Sequence, residues 1–105
     1  MFDDENCSWC RQWEKDIGVI YQITPEHCQA PLKKITLGDD LPDSVSLKEP
    51  VVYTPTFVFF VHGKEVDRIV GYPGEDFFWS MLDELIDKGL PENIQHENAS
   101  QCKNT

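Results

Sequence analysis

The sequence predicts an α/β domain, with a mixed central sheet flanked by helices. Three observations predict it. The run Thr56-Phe57-Val58-Phe59-Phe60-Val61 is continuously apolar, as suits a strand buried on both faces. His62-Gly63 then turns the chain, and Glu65 to Val70 runs back as a second strand, giving a β-hairpin. From Glu75 to Lys88, the residues Phe77, Phe78, Met81, Leu82, Leu85 and Ile86 form an apolar stripe at helical spacing. Acidic residues near its start and Lys88-Gly89 at its end match the polarity of a helix.

The other elements are read in the same way. Cys10, Trp13, Ile17 and Ile20 interleave with polar residues on one helical face, so a helix is expected over Ser8–Tyr21. Pro25 places its end at or before Thr24. Lys33 to Leu37 is a short strand candidate, and Gly38 to Pro50, rich in Asp and Pro, is loop or a helical turn. If a short strand precedes Cys7, the order is β-α-β-β-β-α, a central sheet with a helix on each side. A chain of 105 residues is expected to form one domain, over 1–90, with a polar and flexible tail over 91–105.

Charge narrows the functional classes. The chain carries 9 Lys and Arg against 19 Asp and Glu, a net charge of −10 that repels nucleic acid and other polyanions. A partner should therefore offer a neutral or basic docking surface. No run approaches the roughly 18 apolar residues of a membrane span, so a soluble domain is expected, and a monomer. The acidic start Phe2-Asp3-Asp4-Glu5 is unlike the basic opening of a secretory signal.

Chemistry concentrates at Cys7-Ser8-Trp9-Cys10. In disulfide exchange a thiolate attacks a disulfide, forms a mixed disulfide, and a second nearby thiol resolves it. Two intervening residues on a first helical turn hold two sulfurs close enough for this. Cys7 at the helix N-terminus, where free N–H groups favour the thiolate, is the expected attacking thiol. Cys10, one turn deeper on the apolar face, is the expected resolving thiol and the more buried. The same spacing is half of a zinc site, with His27 and Cys28 as completing ligands, so a zinc-binding interaction module built on Cys7 and Cys10 is the alternative. Adjacent residues seldom both reach one metal, and no second Cys-x-x-Cys exists. No cofactor beyond the Cys7–Cys10 disulfide is expected.

Tyr53-Thr54-Pro55-Thr56-Phe57 is the second element. A proline before a buried strand must sit at the strand's first residue or disrupt pairing. Beside a redox Cys-x-x-Cys, a cis Thr54-Pro55 bond would turn the Thr54 backbone toward the sulfurs and offer an incoming chain an edge. Trp9, between the cysteines, is expected to be exposed and to serve as a contact surface.

Cys-x-x-Cys opening a helix, Thr-Pro-Thr-Phe entering a hydrophobic strand, then Gly-Lys-Glu-Val and Arg-Ile-Val-Gly, resembles the thioredoxin-like family over positions 1 to about 88. More narrowly, Cys-Ser-Trp-Cys, Leu41-Pro42-Asp43 and Gly71-Tyr72-Pro73-Gly74-Glu75-Asp76-Phe77-Phe78-Trp79 are similar to the SoxS group, periplasmic reductants of bacterial sulfur-oxidation (Sox) systems. The resemblance implies a thiol–disulfide oxidoreductase that reduces or isomerises disulfides of partner proteins, Sox proteins among them, and is recharged by an upstream electron donor. It implies a periplasmic location, with the cytoplasm as the alternative. No His lies between the cysteines, a feature of many oxidising members, which favours the reducing direction.

Three departures stand out. Thioredoxins carry a buried acid about where Met1 stands, so water is expected to move the proton of Cys10. Ser8-Trp9 replaces the usual Gly-Pro. Only Met1 to about Asp3 remains for the strand before Cys7, as expected either of a minimal thioredoxin-like version or of a chain whose upstream residues were removed. Trp13, Phe59, Trp79 and Phe77-Phe78 read as core or helix-face packing, His62 as a turn residue, and His27 and His96 as loop residues without a partner. Cys28 and Cys102 read as incidental thiols rather than a second active pair, with a Cys28–Cys102 disulfide as the alternative if the tail folds back.

Overall fold

The structure, a computed structural model, describes residues 1–89. The expected tail, with His96 and Cys102, lies outside them. In chain order the elements are β1 (Phe2–Asp3), α1 (Ser8–Trp13), α2 (Val19–Tyr21), α3 (Pro25–Gln29), β2 (Ile35–Thr36), β3 (Thr56–Val61), β4 (Lys64–Val70) and α4 (Glu75–Gly89). The four strands form one mixed sheet in the order β2-β1-β3-β4. β1 runs parallel to β2 and antiparallel to β3, and β4 returns antiparallel to β3.

The hairpin closes as the sequence requires. His62 and Gly63 both have positive φ, 54° and 79°, the conformation whose twist matches the flanking strands. A Cβ at Gly63 would collide with the Ser44 carbonyl, so glycine also lets the loop pass over the turn. The register slips by one residue between Phe59 and Phe60. That bulge leaves Val66 without a partner and lets it pack against the core.

α1 and α2 are one helical segment across the predicted span, joined by a π-helical turn over Glu14–Gly18. The wider turn delays the buried face by one position. Cys10, Trp13 and Ile17 lie inside as expected, but Tyr21 is buried where Ile20 was expected, and Ile20 is 42% exposed. α4 buries Phe78, Leu82, Leu85 and Ile86, whereas Phe77 and Met81, also expected in its apolar stripe, face outward. α3 was not anticipated. Pro25 occupies its first turn and the Thr24 hydroxyl accepts the His27 N–H, so the residues that end one helix begin the next. His27 is thus helical rather than in a loop, and its ring meets Tyr21 edge-on.

Both long helices pack on one face of the sheet rather than on opposite faces. Trp13, fully buried, has its ring 5.2 Å from Phe57 of β3 and 5.7 Å from Phe78 of α4. Phe57 and Phe78 are themselves 4.8 Å apart, and Ile69 pairs with Phe57 on the same face. The other face is crossed by loop residues 46–50. Buried Glu65 of β4 accepts the Lys48 N–H and a two-point ion pair from Arg68, whose guanidinium also donates to the Glu49 and Pro50 carbonyls. The Arg68 contact holds the Glu65 carboxyl below its usual range.

Two tests follow from this packing. Trp13→Ala opens a cavity among three aromatic rings and should cost about 3–5 kcal/mol of stability in chemical denaturation. Ile20→Ala should stay within about 0.5 kcal/mol, because the π-turn has put that side chain outside. An equal cost at both positions would place Ile20 back in the core.

The second concerns Asp83, raised to about 6 by burial and by the neighbouring Glu26 carboxylate of α3, with Asp87 adding to it. The folded state then holds a proton that the unfolded chain releases near pH 4. This contribution to stability is full below pH 4 and is lost as pH rises to about 6. Asp83→Asn should therefore stabilise the protein above pH 6 and change little below pH 4. That desolvation is partial, since Asp83 keeps much of its surface in solvent, and screening holds the gain to no more than about 1 kcal/mol. Melting curves of both proteins at pH 4 and 7.5 measure it.

Candidate active site

Cys7 sits at the N-cap of α1 in extended conformation, φ −88° and ψ 105°. Its Sγ accepts the Cys10 backbone N–H at 3.0 Å. A hydrogen bond from a free helix N–H is the kind of contact that stabilises a thiolate, so the fold supplies the electrostatic help expected at this position. Cys7 and Cys10 form a disulfide across a Cα–Cα distance of 5.2 Å. Cys7 is 9% exposed and Cys10 5%, so in the disulfide form the expected difference in burial is small. Position at the cap, more than burial, distinguishes the two sulfurs.

The acidic approach is tied down locally. Cys7 N–H donates to the Asp4 carbonyl, and the Asp4 carboxylate accepts the Asn6 N–H at 3.0 Å. Arg11, in the last turn of α1, reaches back to the Glu5 carbonyl. These bonds shape the turn from β1 into α1. Cys7 and Cys10 share a buried apolar cluster with Met1 and Trp13, and Met1 stands about where thioredoxins carry a buried acid.

Thr54-Pro55 is cis, and Pro55 is fully buried. Phe2 pairs with Thr56 in the antiparallel register, which brings Asp3 level with Pro55. The chain leaving β1 for Cys7 and the chain entering β3 through Pro55 therefore lie at the same end of the sheet. Thr56 Oγ1 donates to the Tyr53 carbonyl at 2.6 Å and steadies that entry. Trp9, 60% exposed, projects beside the disulfide, and Tyr53 and Val52 are exposed before Thr54.

A third segment belongs to this end of the sheet and was not anticipated as part of the site. Gly71, with φ of 85°, follows β4 and donates its N–H to the Pro55 carbonyl at 2.7 Å. Tyr72 donates from its hydroxyl to Asp16 Oδ2 at 2.9 Å, linking this loop to the helix of the cysteines. In the sequence, Gly71, Pro73 and Gly74 mark a break after the strand, but nothing in spacing points to Asp16.

Among the described residues, no group of three or more His, Cys, Asp or Glu side chains is placed to hold a metal ion. Cys28, read as an incidental thiol, is disulfide-bonded. No helix among the described residues is long and apolar enough to cross a membrane.

A helix-capping cysteine disulfide, set at one sheet end with the entry to a hairpin, defines a class. The family model described as thioredoxin-like domain matches residues 1–86, and the chain belongs to that family. Among solved structures it is similar to the periplasmic thioredoxin SoxS from Paracoccus pantotrophus, crystallised in its reduced form. The two are 41% identical and superpose with a TM-score of 0.83, covering 86% of this chain and 95% of that one. No curated protein matches the chain significantly. Fold and family together support thiol–disulfide redox chemistry.

Proposed function

We propose that this protein reduces disulfides of partner proteins, with Cys7 attacking and Cys10 resolving. The observation that carries the proposal is the Cys7 sulfur at the α1 N-cap, accepting the Cys10 N–H and joined to Cys10 across one helical turn. In the dithiol form, the Cys7 thiolate attacks one sulfur of the partner disulfide. A Cys7–partner disulfide forms and the other partner sulfur leaves as a thiolate. The Cys10 thiolate then attacks Cys7 Sγ, releases the second partner thiol and closes the Cys7–Cys10 disulfide. Two electrons pass to the partner, and an upstream dithiol donor restores the pair. Trp9 and the Thr54 backbone serve as contacts for an extended partner segment, with Pro55 shaping the groove.

The likeness to a periplasmic SoxS supports a periplasmic location and a partner in a sulfur-oxidation system. The negative charge of the chain favours a partner surface that is neutral or basic. The zinc-module alternative finds no third ligand beside Cys7 and Cys10 among the described residues. Zinc analysis of the reduced protein decides the matter directly: stoichiometric metal held by these thiols would replace the redox reading.

Trapping tests the order of the thiols. Cys10→Ser should accumulate a mixed disulfide with the physiological partner through Cys7, resolved by mass spectrometry. Cys7→Ser should accumulate much less, because the Cys10 sulfur lacks the N-cap position. Equal trapping would remove the distinction drawn between them.

The reduction potential tests the direction of electron flow. Equilibration with a glutathione or dithiothreitol buffer should give a value near about −270 mV, the reducing end of the family range. A value near about −120 mV would make the protein an oxidant.

A further inference from the structure

The helix that carries both cysteines is irregular at one place, the π-helical turn over Glu14–Gly18. Such turns are rare and concentrate at functional sites. Asp16 lies within it, and both of its carboxylate oxygens are engaged. Oδ1 accepts from Gln12 Nε2 at 2.9 Å, one turn earlier on the same helix, which fixes the orientation of the carboxylate. Oδ2 accepts from the Tyr72 hydroxyl at 2.9 Å, from a residue 56 positions away.

Tyr72 is not an isolated surface residue. Its ring lies edge-on to Phe78, 6.2 Å between centroids, so the side chain is already aimed toward the helix. The preceding residue, Gly71, donates its N–H to the Pro55 carbonyl. A continuous path of hydrogen bonds and peptide links therefore runs from the cysteine helix through Asp16, Tyr72 and Gly71 to Pro55. Burial and the Asp16 carboxylate push the Tyr72 phenol well above its usual range, so it remains the donor.

We propose that Asp16 and Tyr72 form a latch that positions the Gly71–Gly74 loop, and with it Pro55, against the redox helix, setting the width of the cleft that receives a protein substrate. Asp16 and Tyr72 are positioning residues; neither touches the reacting sulfurs. The proposal rests on the reading of Cys7–Cys10 as the site of disulfide exchange. It separates two properties: attack at Cys7 depends on the helix cap, whereas acceptance of an extended protein segment depends on the latch. A small disulfide needs only the first.

The test compares the full chain with Tyr72→Phe, Asp16→Ala and Asp16→Asn, each recharged by dithiothreitol. Steady-state reduction of insulin and of a small aromatic disulfide is measured for each. Tyr72→Phe keeps the ring against Phe78 and removes only the hydroxyl. It should raise KM for insulin about 5–10-fold, the scale of one ordinary intramolecular hydrogen bond, with kcat changed less than about two-fold. The small disulfide should lose far less in kcat/KM than insulin does. Asp16→Ala should match Tyr72→Phe. Asp16→Asn, which keeps an acceptor for the hydroxyl, should recover most of the loss. The double variant Tyr72→Phe/Asp16→Ala should be no worse than either single change.

An unchanged insulin KM in Tyr72→Phe, equal losses on both substrates, or additive losses in the double variant would each overturn the latch. So would an Asp16→Asn variant as impaired as Asp16→Ala. A wild-type chain inactive on both substrates would instead overturn the exchange reading on which the latch rests.

Discussion

The contact of Trp13 with Phe57 and Phe78 is the constraint on which the rest of the structure depends. Trp13 follows Cys10 by one helical turn, and Phe57 follows Pro55 by two residues. Ring centroids 5.2 Å apart therefore tie the element bearing the cysteines to the strand that Pro55 introduces. Phe78 closes the triangle from α4, so the C-terminal helix holds both from the same side. Aromatic rings bury large areas through few rotatable bonds, which gives this junction stiffness as well as stability. Loop residues 46–50 complete the support from the opposite face, where Arg68 and Glu65 pin them over the sheet.

Electrostatics at the disulfide are local rather than global. A chain of net charge −10, with Asp3, Asp4 and Glu5 just upstream of Cys7, works against a thiolate. The structure shows how the conflict is contained. The Asp4 carboxylate is bonded to the Asn6 N–H in its own turn, and Arg11 bridges back to the Glu5 carbonyl. The helix N–H of Cys10, by contrast, points straight at Cys7 Sγ at 3.0 Å. A donor in contact acts through little solvent, while carboxylates at the surface are screened. The overall charge then shapes which surfaces can approach more than it shapes the chemistry at sulfur.

Much of this was legible in the sequence, for identifiable reasons. β3, β4 and α4 announce themselves because each buries a full face, so hydrophobic periodicity and turn residues agree. Cys7 at a helix start was legible because the pair sits where an apolar stripe begins. The π-turn was not, since Cys10, Trp13, Ile17 and then either Ile20 or Tyr21 fit an α-helical face equally well. Only the identity of the buried residue reveals the wider turn. α3 escaped notice because Thr24-Pro25 signals a helix end and a helix start alike. The outward turn of Phe77 was hidden for a related reason: composition marks an apolar residue, but the phase of the helix decides which of two adjacent phenylalanines goes in. The placement of both long helices on one face depends on connection handedness and on the loop that covers the other face, neither of which periodicity encodes.

The Cys-x-x-Cys spacing itself serves exchange and metal binding equally well, and what surrounds it distinguishes them. A closed zinc site needs four donors converging on one point. Here both cysteines belong to one apolar cluster with Met1, Trp13 and Ile17, and the Cys10 backbone N–H addresses the Cys7 sulfur. That directed donor makes two chemically similar thiols unequal, which suits an ordered exchange in which one attacks and the other resolves. Gly71, donating to the Pro55 carbonyl, fixes backbone at the same end of the sheet. Both cysteines belong to the buried core cluster: Cys10 shares a helix face with Trp13, and Cys7 is set apart by its place at the cap.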